Sequence, residues 1–173
     1  RGKPAQQGPP PSDAPPVGND IRRGRPAKER EVLVPQLTFI ARRTHNVLHE
    51  PGEPIRFGYF MKSGMTSILT VLAEGKSVEV GLTGKDGFVG LPLLVGFSSG
   101  PTQAVVQIAG SAFRIGMRAI TQAVHQCPVL ANQLQRYVQM LAMQGTQVAA
   151  CKRLHEVDER LARWRLMCQD RIG

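Results

Sequence analysis

The chain has 173 residues, a hydrophobic fraction of 42% and a net charge of +9. That length can bury one real core, and no window approaches the ~18–20 uninterrupted apolar residues that a membrane-spanning helix needs. The basic N-terminus has no apolar run behind it, which argues against a signal peptide, and a first residue of Arg1 fits an incomplete or processed chain.

Residues 1–30 hold seven prolines, four glycines and +4 of the charge, with almost no large apolar residue. They read as a disordered tail. Within it, Arg22-Arg23-Gly24-Arg25-Pro26 has the core of a minor-groove AT-hook, but so short a match in a basic, Pro-rich stretch reads better as a solvated linker.

Residues 31–127 form the predicted β-rich domain. Val47-Leu48 leads into a turn at Pro51-Gly52-Glu53-Pro54, followed by strands at 55–60, 65–73 and 77–82. Val78 and Val80 alternate with Ser77, Glu79 and Gly81, the period of a half-buried strand, and Glu74-Gly75 makes the preceding run into a hairpin. Two more strands, 105–108 and 112–115, flank Ala109-Gly110. Short strands at this spacing predict an antiparallel roll.

After Gly116 the period becomes helical. A short amphipathic helix spans 118–126, and Pro128 opens a long one over residues 128–156. There Leu130, Leu134, Tyr137, Leu141, Gln144, Val148, Cys151 and His155 recur in steps of four and three. That heptad seam predicts pairing with a second copy, with Gln144 as a register-setting polar residue; packing on the chain's own sheet is the alternative. A last helix starts near Val157-Asp158 and occupies 157–173, with Leu161, Trp164 and Met167 on one side.

Between Gly84 and Ala104 three glycines fall within seven residues (Gly84, Gly87, Gly90), and no ionisable residue lies from Phe88 to Ala104. A glycine loop of this kind can turn N–H groups toward an anion, yet here it supplies no countercharge. The other chemistry is sparse. His45, His49, His125 and His155 read as surface histidines, although His45 and His49 share a face of an extended segment. Glu50, Glu53, Glu74, Glu79 and Asp86 read as turn or exposed positions, and Ser63, Ser98 and Ser99 lack an activating context. Cys127, Cys151 and Cys168 form no metal pair or disulfide framework, which points to a reducing cytoplasm. The chain reads as no enzyme, with no cofactor and no metal; a cupin-type enzyme would need a histidine–carboxylate cluster.

The string Leu48-His49-Glu50-Pro51-Gly52-Glu53-Pro54-Ile55, Tyr59-Phe60, Ser63-Gly64-Met65, the stretch 74–81, the stretch 84–96 and Arg160-Leu161-Ala162-Arg163-Trp164 resemble one family. It is the cyclic-nucleotide-binding-type sensor domain of the catabolite activator and fumarate–nitrate regulator (Crp/Fnr) transcription regulators. The resemblance spans about residues 47–173. It implies an α+β fold: an eight-stranded antiparallel β-roll (a jelly roll), a long dimerisation helix and a short C-terminal helix.

The family's winged helix-turn-helix, through which DNA and RNA polymerase would be contacted, is not in this sequence. By this resemblance, Gly87, Phe88, Val89, Gly90 and Leu91 of the cassette stand where the family's cyclic-AMP binders have Gly-Glu-x-Gly/Ala-Leu, so Phe88 replaces the ribose-binding Glu. Thr102, Gln103 and Ala104 stand for Arg-Ser/Thr-Ala. The resemblance thus implies a homodimeric sensor with a degenerate pocket that does not take cyclic AMP, for a small-molecule effector of undefined identity or none. No cysteine cluster matches the iron–sulfur branch and no histidine matches a heme ligand. The alternative is an interaction domain that docks through the roll, or a decayed regulator.

Overall fold

Eight strands, each short and apolar on at least one face, pair into two antiparallel four-stranded sheets. The computed structural model describes residues 26–72, 75–85, 87–154 and 156–172. One sheet has the order β1-β8-β3-β6, from β1 (Thr38–Arg42), β3 (Phe57–Met61), β6 (Phe88–Val89) and β8 (Gly110–Gly116). The other has the order β2-β7-β4-β5, from β2 (Val47–His49), β4 (Met65–Val71), β5 (Ser77–Thr83) and β7 (Thr102–Ile108). Helices α2 (Met117–Gln126), α3 (Pro128–Leu154) and α4 (Val157–Ile172) follow the roll. The expected α+β roll is thus present.

Three elements lie outside the sequence expectation. A seven-residue helix, α1 (Ala27–Leu33), crosses the expected boundary between tail and roll at residue 30. Strand β1 is the second, a segment without a buried face, since every residue along it is exposed or half-buried. The third is β6, only two residues long. The stretch 1–25, including Arg22 to Arg25 of the AT-hook-like run, lies outside the described residues, as do Ala73, Glu74, Asp86, His155 and Gly173.

Alternation along the first sheet sets up two cores, one on each face. Tyr59, Met61, Val89 and Ala112 face the roll interior, where Ala104, Leu48 and Ile68 meet them from the second sheet. Phe60, Phe88, Phe113 and Ile115 face the other way, into a layer built with Leu33 of α1, Ile120 and Ala123 of α2, and Leu130, Leu134 and Tyr137 of α3. The first sheet is therefore a shared wall between roll and helices.

The start of α3 shows how α1 is held. Pro128 has no N–H to satisfy, and the next two, Val129 N and Leu130 N, donate to Glu29 Oε1 (2.8 Å) and Oε2 (3.1 Å). Glu29 is buried, so a carboxylate from 100 residues upstream caps the long helix. Its negative charge also faces the positive end of the helix dipole.

Candidate functional site

The cassette hangs between β6 and β7, and its glycines have distinct jobs. At Gly87 a Cβ would meet Tyr137 Oη and Thr83 Cγ2, so only glycine lets α3 approach there. The two hydroxyls of Thr83 and Tyr137 lie 3.1 Å apart and tie the end of β5 to α3. Gly90 has φ of +104°, a conformation that L side chains rarely adopt, and it turns the chain from β6 into a 3-10 turn over Leu91–Val95. Gly96, with φ of +83°, ends that turn. The loop then crosses to the roll through Ile55 N donating to Ser98 O and Gly52 N to Gly100 O.

These contacts bring some predicted site residues together and separate others. Val89 and Ala104 meet inside the roll, Gly90 and Leu91 open the turn, and Gly87 lies apart, against Tyr137 of α3. Phe88 does not join them. Its ring is 1% exposed, lies 4.7 Å from the Phe60 ring and packs against Gly58 in the helix-facing layer. Alternation explains this: Val89 faces the roll interior, so Phe88 faces away. Thr102 and Gln103 are half-buried on β7, and Gln103 Nε2 donates to Glu50 Oε2 at 2.7 Å.

The heptad seam divides too. Leu130, Leu134 (1% exposed) and Tyr137 are buried in the chain's own core, Leu141 packs at its edge and Gln144 is half-buried. The first three are thus consumed within one copy. The side chains of Val148 and Cys151 lie outside the described ones. A second set on the same helix, Ala131, Gln135, Val138, Ala142, Gly145 and Ala149, repeats in steps of four and three on the solvent-accessible side.

Sequence reading missed two polar groups. The Arg42 guanidinium lies 5.6 Å from the centroid of the Tyr59 ring, a member of the interior cluster, and its Nε is buried without a hydrogen-bond partner. His49 is buried rather than on the surface, because a bulge in β2 sets it opposite Ala104. It lines a recess of ≈ 350 Å³ with Glu50, Glu53 and Arg56, and its Nδ1 has no partner. No sequence signal marks either position, since the bulge is invisible in the pattern.

Burial pushes the His49 imidazole below its ordinary 6.5, against a smaller upward pull from Glu50. Below pH about 6.5 the unfolded chain therefore binds a proton that the folded chain resists, and stability falls with pH until the folded imidazole also protonates. His49→Gln is expected to reduce the drop in urea midpoint between pH about 7.5 and about 5.5.

Among the described residues no three His, Cys, Asp or Glu side chains come together, and no helix is long and apolar enough to cross a membrane.

No family model matches the chain, and no curated protein does. Solved structures do. The c-di-GMP-responsive global regulator CLP of Xanthomonas campestris superposes with a TM-score of 0.67 at 17% identity, covering 80% of this chain and 70% of that one. The Thermus thermophilus catabolite activator protein gives 0.61 at 13% identity, covering 77% and 63%. The regulatory subunit of a cAMP-independent protein kinase A from Trypanosoma brucei gives 0.58 at 18% identity, covering 69% of this chain and 43% of the subunit. The likeness is one of fold: an antiparallel roll of the cyclic-nucleotide-binding type followed by helices.

Proposed function

We propose that the chain is the sensor module of a Crp/Fnr-type transcription regulator, working as a homodimer whose pocket has lost the usual cyclic-AMP contacts. One observation carries the reading. The cassette keeps the left-handed Gly90 and the turn after it, yet has no ionisable side chain from Phe88 to Ala104. The amide of Gln103 is engaged by Glu50. A cyclic phosphate here lacks a cationic partner from β7, a loss of about 1.5–3 kcal/mol for one charge-assisted bond.

Calorimetric titration with cyclic AMP is expected to show no saturable heat up to about 1 mM, and a micromolar dissociation constant would refute the reading. Cyclic di-GMP is the second probe, because CLP is described as responsive to it. The neighbours do not favour a docking domain without a sensor role.

Dimerisation through α3 is assigned to the second seam, where Val138 is exposed and Ala131, Ala142, Gly145 and Ala149 let helices approach closely. Val138→Glu with Ala142→Glu is expected to convert a dimer to a monomer in sedimentation velocity at tens of micromolar, with the circular dichroism unchanged. Leu134→Arg is no test of pairing, since it puts a charge into the protomer core.

A further inference from the structure

Helix α4 does not project away from the roll. Its Trp164 Nε1 donates to Glu79 Oε1 at 3.1 Å, and the other oxygen of that carboxylate accepts from Ser67 Oγ at 2.7 Å. Cys168, one turn further along α4, is buried against Met65 and Leu82, with Met167 beside them. Ser67 and Leu82 are register partners, as are Leu69 and Glu79, whereas the neighbouring Ile68 belongs to the roll interior. The helix therefore sits on the outer face of β4 and β5, and β5 is the edge strand of its sheet. The contact is narrow. Trp164 stays 40% exposed, and Leu161 and Leu166 are exposed as well.

We infer that α4 is a releasable strap: a carboxylate relay centred on Glu79 holds it over the outer face of β4 and β5, and its release uncovers Met65, Leu82 and Cys168. A buried apolar pair under a helix that leaves Leu161, Trp164 and Leu166 exposed gives two discrete arrangements, docked and free. Strand β4 carries Ser67 toward the strap on one face and Thr66 and Ile68 toward the roll interior on the other. A displacement of β4 from within the roll thus changes the relay geometry directly, which is the differential interaction that a population shift requires. Burial raises the Cys168 thiol above its ordinary value, and the Glu79 charge raises it further, so the docked strap also keeps this thiol slow to react.

Pulse alkylation with iodoacetamide, read out by peptide mapping, tests the strap on the whole chain. Cys127, fully buried in the helix layer, reports whether the roll itself stays closed. Trp164→Ala leaves Glu79 in place, so any change at Cys168 reports release rather than altered charge. Its Cys168 is expected to react at least about tenfold faster than in the unmodified chain, with Cys127 protected in both. Trp164→Phe keeps an aromatic ring, though a smaller one, and loses the N–H, and is expected to accelerate Cys168 severalfold. Equal Cys168 rates in the unmodified and Trp164→Ala chains overturn the strap. So does labelling of Cys127 as fast as Cys168 in the unmodified chain, because protection would then not come from α4.

Discussion

Phe88→Glu, alone or with Thr102→Arg, is expected to unfold the protein rather than restore a nucleotide site. Phe88 is 1% exposed, its ring tilted against Phe60, and the Gly58 backbone lies so close that a Cβ there would strike the ring. Emptying such a site costs about 3–5 kcal/mol, and placing an unpaired carboxylate in it costs more. That total rivals the entire stability of a domain this size. Chemical denaturation followed by circular dichroism checks it: Phe88→Glu should give no cooperative transition. Thr102→Arg alone, at a half-buried strand position, should keep one. A folded Phe88→Glu chain with unchanged midpoint would mean that the ring does not lie in the helix-facing layer.

Glu29→Ala is expected to destabilise the fold by about 2–4 kcal/mol, although Glu29 lies outside the sheets and outside the cassette. The substitution strands the Val129 and Leu130 N–H groups at the buried start of α3. Losing a helix cap costs about 0.5–2 kcal/mol, and hydrogen bonds to a charged group are worth about 1.5–3 kcal/mol, so two such bonds on one buried carboxylate set the range. Glu29→Gln keeps one acceptor oxygen and should fall between the two. Glu31→Ala, exposed on the same helix, is the control and should change the unfolding free energy by less than about 0.5 kcal/mol.

The hairpin of β4 and β5 and the three C-terminal helices were legible in the sequence because β4 is a continuous apolar-leaning run, β5 alternates and the helices keep a helical period. Helix α2 begins one residue before the expected 118, and α4 begins at Val157. What escaped was short or half-exposed. Strand β6 has two residues between Gly87 and Gly90, too few to show the phase of an alternation, so nothing in the chain says that Val89 rather than Phe88 faces inward. Helix α1 follows a Pro-rich stretch and buries only Glu29 and Leu33, and a buried glutamate is not a residue that patterning assigns to a core.

The heptad on α3 teaches a different lesson. Its period correctly marks an apolar face, but a period does not say what covers that face. Here the shared-wall sheet covers Leu130, Leu134 and Tyr137, and a second seam of small residues with the same spacing is left outside. For the histidines the missing information was the β2 bulge, which moves His49 inward without leaving a mark in composition or spacing.

The Glu29 clamp has a consequence for the order in which the molecule is made. Synthesis proceeds from the N-terminus at about 5–20 residues per second, so the carboxylate is exposed several seconds before the backbone groups that it will bind. The acceptor waits, and the first turn of the longest helix stays uncapped until the intervening roll has brought positions 29 and 129 together. Closing so long a loop is entropically costly, and its cost is met only by long-range pairing of the strands in between. The cap on α3 is therefore a lock that only an assembled roll can set, and a nascent chain stopped short of residue 129 carries a buried-type carboxylate with nothing to cap.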